Sequence, residues 1–373
     1  MNSQCIVIID PRGVIDLKDK YTINRHIRYA EQLKKKSHMK LVIISAHENS
    51  LKHEYENLLY IAIKSNNYFS PLFASKSVIE IQRNNLIPRL FVAGDPWESY
   101  ETSRYVARKM NTNRIIPIQV QLHADVFDPN WHRSRIINKI RFLWCKKNLR
   151  KVDSIRLVSQ AQLEHFPNES QILKKIFINP VSLNLTINPP KYDRNRPNSI
   201  GFVGRIENDR GLGDLMIILD KLRSLNSDIK IVIAGKGKKS KFLIRKLSKI
   251  MPRSRILYLK HLDPEGMTKA WSKIGVLLST AKTESYGRVM REAACYGIPV
   301  ISVENSGSLL LSREIPKGWL EFVDPSESSE SIANKFHKTR MQKTSSIFLR
   351  HTLREENMNI EILIASWIGL SKK

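Results

Sequence analysis

Two carboxylates, Glu284 and Glu292, stand eight positions apart in the segment 283–297, just ahead of Ile298, Pro299 and Val300. The apolar run Ile274 to Leu278 predicts a buried strand, Ser279 to Tyr286 a loop, and Gly287 a tight entry into a helix. Free backbone N–H groups at that helix start, with the positive end of its dipole, suit a phosphate. Glu284 precedes the helix and Glu292 sits inside it, about one turn beyond Arg288. Carboxylates do not bind phosphate, but they accept hydrogen bonds from sugar hydroxyls, so two of them flanking a phosphate site suit a nucleotide-sugar. On their own, two Glu residues at this spacing also describe an ordinary solvated helix.

A second anion-binding arrangement lies upstream. Ser199 to Gly204 predicts a strand ending in a turn, after which Arg205, Arg210, Gly211 and Gly213 precede a helical run from Leu215 to Leu222. Ile231 to Gly237 is another strand closed by Gly235 and Gly237, followed by a basic helix from Ser240 to Ile250. Strands and helices alternate through Val303, as in a parallel sheet covered on both faces, with Val289, Ala293 and Ala294 expected to face it. In the amino-terminal half, Cys5 to Ile9, Leu41 to Ser45, Leu58 to Ile63, Leu90 to Ala93, Ile115 to Val120 and Ser154 to Val158 predict a second doubly wound domain.

The segments Gly204-Arg205 with Arg210-Gly211, Ala234 to Gly237, and Glu284 to Pro299, in that order, resemble the nucleotide-sugar domain of the GT-B glycosyltransferases, specifically the retaining enzymes of glycosyltransferase family 4. The resemblance implies an α/β fold of two Rossmann-like doubly wound parallel-sheet domains facing across a cleft. By position it assigns Arg205 and Arg210 to the donor diphosphate, Glu284 to the donor sugar and Glu292 to the ribose. Gly204, Gly235 and the backbone around Tyr286, Gly287 and Arg288 complete the donor site, and His123, after the strand ending at Val120, faces the donor sugar. The catalytic set so implied is His123, Arg205, Arg210 and Glu284. Three positions depart from the family pattern: Arg210 stands where Lys is usual, Gly275 where Asp is frequent, and Asp10-Pro11-Arg12-Gly13 replaces a glycine-rich turn.

The resemblance further implies transfer with retention from a UDP- or GDP-type donor, with no other cofactor. No metal is expected, because two arginines supply the positive charge and no suitable Asp-x-Asp loop is present. The domains are expected at 1–187 and 199–345, joined by a polar, proline-rich linker at 188–198, with a terminal helical segment at 346–373 returning to the first domain.

Composition bounds the remainder. Three cysteines far apart argue for a reducing compartment and against zinc or a disulfide framework, and the start carries no signal-peptide pattern, so a protein that is cytoplasmic, or peripheral on the cytoplasmic face of a membrane, is expected. A formal net charge of +27 calls for an anionic partner, either a membrane leaflet or a nucleic acid. On a helix from Trp131 to Lys151, Ile136, Ile140, Leu143 and Trp144 form one stripe and Arg135, Lys139, Lys146 and Arg150 a neighbouring one. Such a helix either lies at a headgroup surface or packs its apolar stripe on its own sheet. The favoured expectation is an enzyme of surface polysaccharide, lipopolysaccharide or glycolipid synthesis with a lipid-linked or saccharide acceptor. The alternatives are a soluble or nucleic-acid acceptor, or a non-enzymatic nucleic-acid-binding protein, against which stands the lack of a recognition helix, RNA-binding motif or zinc finger.

Overall fold

The computed structural model describes residues 3–65, 70–110, 115–183, 185, 196–260, 264–342 and 347–372. The chain forms two compact units, one of Met1–Ser182 with Asn357–Lys373 and one of Leu183–Glu356. Most of the predicted linker, residues 188–195, lies outside the described residues. Its end is packed: buried Arg196 donates to the carbonyl of Gly297 at 3.2 Å and that of Arg340 at 2.8 Å.

The first unit runs β1 (Ser3–Asp10), α1 (Lys20–Ser37), β2 (Lys40–His47), β3 (Leu51–Tyr55), β4 (Leu58–Lys64), α2 (Pro71–Arg83), β5 (Leu86–Ala93) and α3 (Glu98–Lys109). It continues with β6 (Ile118–Leu122), α4 (Pro129–His132), α5 (Ile136–Leu149), β7 (Ser154–Leu157), α6 (Ser170–Leu173) and β8 (Ile176–Ile178). These strands form one sheet in the order β3-β4-β2-β1-β5-β6-β7-β8, parallel except for the β3–β4 hairpin. The strands β1, β2 and β4 are buried nearly end to end, as a sheet covered on both faces requires. β3 was not anticipated, because Lys52, His53 and Glu54 make it a polar, exposed edge without an apolar signal. β6 begins at Ile118 rather than Ile115, whose side chain is exposed.

The second unit runs β9 (Ser199–Val203), α7 (Leu212–Leu225), β10 (Lys230–Ala234), α8 (Ser240–Ile250), β11 (Ile256–Leu259), α9 (Pro264–Trp271) and β12 (Val276–Ser279). It closes with α10 (Arg288–Cys295), β13 (Val300–Ser302), α11 (Ser306–Glu314), β14 (Leu320–Phe322) and α12 (Ser329–Arg340). The sheet order is β11-β10-β9-β12-β13-β14, with every pairing parallel. Counted within the unit this is 3-2-1-4-5-6, the doubly wound order whose direction reverses between the first and fourth strands, here β9 and β12. Met290, Ala293 and Ala294 carry α10 into the core, while Val289 is only partly buried.

The last helix, α13 (Ile347–Ser371), belongs to the first unit from Asn357 on. Its Trp367 is fully buried and donates through Nε1 to Gln119 Oε1 at 2.8 Å, while Ile364 packs among the residues beneath β1 and β2. The three cysteines are free and buried.

Candidate active site at the switch point of the second unit

Ligands of doubly wound sheets bind beyond the carboxyl ends of the strands, where strand order reverses. In the second unit that place lies between the loops after β9 and β12, which hold Arg205, Arg210 and Glu284. Arg210 and Glu284 meet across it, Nη1 donating to Oε2 at 2.5 Å, with both side chains about a quarter exposed. Thr280 ties the two loops together from behind, its hydroxyl donating to the carbonyl of Arg210 at 2.9 Å.

Glycine makes this approach possible. Gly211 has φ 64°, and a Cβ there would lie 1.8 Å from the carbonyl oxygen of Thr280. Gly235 has φ 147°, and a Cβ there would lie 1.9 Å from the carbonyl oxygen of Gly204, whose N–H donates to Ala234 at 2.9 Å. The β9 loop is thus flanked by the β12 loop on one side and the β10 loop on the other, at distances no side chain tolerates.

The two helices that start here share an unusual opening. α7 follows Gly211 and α10 follows Gly287, both glycines left-handed at φ 64° and 72°, and neither helix has a side-chain cap. Their first N–H groups therefore keep the capacity to hold an anion, assisted by the helix dipoles. By contrast α11 is capped by Asn305 and α1 by Asp19. The Glu284–Gly287 loop rests on Gly307, whose N–H donates to Glu284 O at 2.6 Å and whose missing side chain leaves room for that loop.

The other predicted residues surround this centre. Arg205 is exposed and pairs with Asp209 at 3.1 Å, leaving its guanidinium at the surface of the turn. Arg288 lies 3.4 Å from Glu292 one turn on, and the half-buried Glu292 carboxyl has its pKa raised by desolvation, against the opposing pull of Arg288. Tyr286 is half-buried with its phenol pushed up to about 12 by burial. Its ring carries the guanidinium of Arg291 at 4.1 Å, and Arg291 Nε donates to the Tyr286 carbonyl at 2.9 Å.

Sequence reasoning passed over the residues that hold these groups in place. Arg291 forks onto Glu314, the Nη2–Oε1 arm at 2.9 Å, and so fixes the loop that carries Tyr286. Thr280, Gly307 and the Lys282–Asp214 pair at 3.3 Å were missed as well. Only Gly307, two positions after the N-cap residue Asn305, left a readable trace. Gly275 has a steric explanation for its departure from the family pattern: a Cβ there would lie 2.0 Å from the Pro197 carbonyl oxygen.

His123 lies in the first unit, one residue beyond β6, and its side chain reaches solvent. Its pKa is lowered by desolvation and then by the charges of Arg156, Arg25 and Arg12, all of which favour the neutral imidazole. The Asp10–Gly13 turn, also in the first unit, is self-contained. Asp10 accepts from Ile15 N–H at 2.7 Å and from the Ser45 hydroxyl at 2.9 Å, and Arg12 pairs with buried Asp95 at 3.0 Å.

The family described as Glycosyl transferases group 1 matches residues 186–343. This segment is a glycosyl transferases group 1 domain. The domain contains every predicted site residue except His123. Among curated proteins, the gpi3 subunit of phosphatidylinositol N-acetylglucosaminyltransferase of Schizosaccharomyces pombe is 23% identical over 176 residues, 47% of this chain and 36% of that protein. Glycogen synthase of Mycobacterium tuberculosis is 28% identical over 116 residues, 31% of this chain and 28% of the synthase. The chain thus matches about a third of the length of these relatives. Among solved structures, Anabaena HepE in complex with UDP and glucose superposes with TM-score 0.69 at 14% identity, covering 96% of this chain and 98% of HepE. Sucrose-phosphate synthase of Thermosynechococcus elongatus superposes with TM-score 0.68 at 15% identity, covering 99% and 96%. Two α/β parallel-sheet units, one carrying the group 1 domain, give the fold class as GT-B.

Proposed function

We propose that this protein is a glycosyltransferase that moves a sugar from a nucleoside-diphosphate-sugar of UDP or GDP type to an acceptor hydroxyl, with retention of configuration and without a metal. The observation that carries this reading is the pairing of Arg210 with Glu284 across the β9–β12 switch point, between two glycine-opened helix starts. Donor binding would divide that pair, turning Arg210 to the diphosphate and Glu284 to the hydroxyls of the sugar. Arg205 and the N–H groups following Gly287 add further positive potential, and Glu292 accepts from the ribose.

In the reaction, the bond from the anomeric carbon to the diphosphate oxygen breaks and a bond to the acceptor oxygen forms. The acceptor's proton leaves with the departing phosphate, so the main task is to stabilise negative charge growing on that phosphate. Arg205, Arg210 and the α10 N–H groups meet it. His123, neutral, can hydrogen-bond a sugar hydroxyl, and its assignment to the donor rests on the family resemblance.

The acceptor reading rests on charge. A net charge of +27 favours an anionic surface, and hence a lipid-linked or saccharide acceptor in surface polysaccharide, lipopolysaccharide or glycolipid synthesis at the cytoplasmic face of a membrane. Among the described residues no helix is long and apolar enough to cross a membrane, so the contact proposed is peripheral. A nucleic-acid-binding role would use the charge but leave Arg210, Glu284 and the glycine-opened helix starts without a purpose.

The test is thermal stabilisation by UDP, GDP, ADP and CMP in parallel, with Arg205→Ala and Glu292→Ala alongside. A nucleotide at about 100 times its dissociation constant adds about 2.7 kcal/mol. One nucleotide should stabilise the wild type, and both substitutions should remove that gain. Stabilisation by short DNA or RNA alone would overturn the reading.

A further inference from the structure

The helix α5 is apolar on two sides, and only one of them faces the protein. Toward the first unit it turns Arg141, which donates to Glu98 at 2.8 Å and lies 5.5 Å over the Trp97 ring. On the same side Cys145 and Leu149 are fully buried, and Asn148 donates to the carbonyl of Pro96 at 2.8 Å. Phe142 stacks on His132 at 4.4 Å and meets Phe127 edge-on. These contacts fix the rotation of the helix about its axis.

The opposite side is therefore held outward. Ile136, Ile140 and Leu143 follow the i, i+4, i+7 spacing of a single stripe at about 100° per residue. They are 83%, 50% and 58% exposed, with Ile137 beside them at 46%. Sequence reasoning left open whether this stripe packs on its own sheet, and in the structure the sheet is met by the other side. Exposed cations border it: Arg133 and Arg135 at the helix entry, Lys139 and Lys146 along one edge, Lys146 reaching 5.7 Å over the Phe142 ring, and Lys147 at its far end. The segment from Trp131 to Lys151 contains no acidic residue. Of its other cations, Arg141 and Arg150 are already paired, with Glu98 and Glu169.

We propose that α5 docks this protein on an anionic lipid bilayer, with Ile136, Ile140 and Leu143 entering the headgroup–acyl boundary and Arg133, Arg135, Lys139, Lys146 and Lys147 on the lipid phosphates. The charge selects this occupant. A second copy of the chain would bring the same cations against one another, and a nucleic acid would use the cations but leave the isoleucines in water. A bilayer takes up both at once, an apolar layer beneath an anionic one. The inference names the surface for the membrane-side acceptor reading above and does not depend on the donor chemistry.

The experiment is co-sedimentation of the full chain with vesicles of phosphatidylcholine alone and of equal parts phosphatidylcholine and phosphatidylglycerol. Two variants accompany it: Ile136→Ser/Ile140→Ser/Leu143→Ser, and Lys139→Glu/Lys146→Glu/Lys147→Glu. All six positions are exposed, so neither variant should lose its fold, and an unchanged melting temperature checks this. The wild type should bind the mixed vesicles and neglect the neutral ones, and each variant should bind roughly tenfold more weakly or worse. The inference is overturned if the wild type ignores mixed vesicles. It is equally overturned if the apolar variant binds like the wild type, which would mean electrostatic attraction alone, or if the stripe mediates self-association without vesicle binding. Nucleotide-induced stabilisation, measured on the same preparations, should survive in both variants. Its absence from the wild type would count against the donor reading and leave vesicle binding as a separate result.

Discussion

Both units reverse strand order beside their first strand, and in both an arginine and a carboxylate meet across the reversal. In the first unit Arg12, after β1, pairs with Asp95, after β5. In the second, Arg210 pairs with Glu284. The surroundings differ. Asp95 is almost wholly buried and also accepts from the N–H groups of Trp97 and Ser99 and from the Ser99 hydroxyl, so this pair is a finished internal joint. Arg210 and Glu284 keep about a quarter of their surface in water and lie beside helix starts with no side-chain cap. The comparison separates a switch point whose polar groups are locked together from one whose polar groups can be parted at low cost, as the proposed donor binding requires. Burial and extra hydrogen bonds lock one, and glycine leaves the other open.

The largest effect should come from Gly211→Ala. A left-handed side chain there costs about 1–2 kcal/mol, and forcing its Cβ against the Thr280 carbonyl adds about 1–3. Thermal denaturation should show a loss of several degrees together with a smaller nucleotide-induced gain. Gly13→Ala in the first unit, also left-handed at φ 64° and facing Ala46 O at 2.4 Å, should lower the melting temperature yet keep that gain.

Next is Arg12→Ala, which leaves Asp95 buried without its cation. The cost should be about 3 kcal/mol, the low end for such a break because the bonds from Ser99 remain. Chemical denaturation measures it, and retained nucleotide binding would support the view of this pair as structural.

Arg210→Ala should have the converse signature. Transfer from the donor should slow by about a hundredfold, near 2.7 kcal/mol of transition-state stabilisation, with a stability change well below that of Arg12→Ala. A purely structural loss, with unchanged kcat, would erase the distinction between the two switch points.

The smallest effect should be that of Glu292→Gln, on the order of 1 kcal/mol. Burial raises the pKa of Glu292, so its stabilising contribution is present below the carboxylate's unfolded value and disappears as pH climbs through the raised folded one. The neutral amide escapes this loss. The variant should therefore be more stable than the wild type at neutral pH, equal to it in acid, and weaker in nucleotide binding, as melting curves across that range would reveal.

Much of the second unit was legible because its signals are local. Buried parallel strands announce themselves as apolar runs, and glycine after a strand marks a turn that a side chain would block, as at Gly211 and Gly287. The edge strand β3 was not legible, since a polar exposed strand lacks the pattern that burial imposes. Nor were Arg291 and Glu314, because an ion pair between two helices leaves no periodic trace.

The sequence by itself determined the alternation of strands and helices, the glycine-opened turns and the excess of positive charge, since each follows from residue type and spacing along the chain. Only the tertiary structure decided which charges meet. Arg210 and Glu284 lie 74 positions apart and are joined by sheet order, and the same order carries Arg12 to Asp95. It also decided which side of α5 faces outward, because a helix apolar on both sides is oriented by what packs against it.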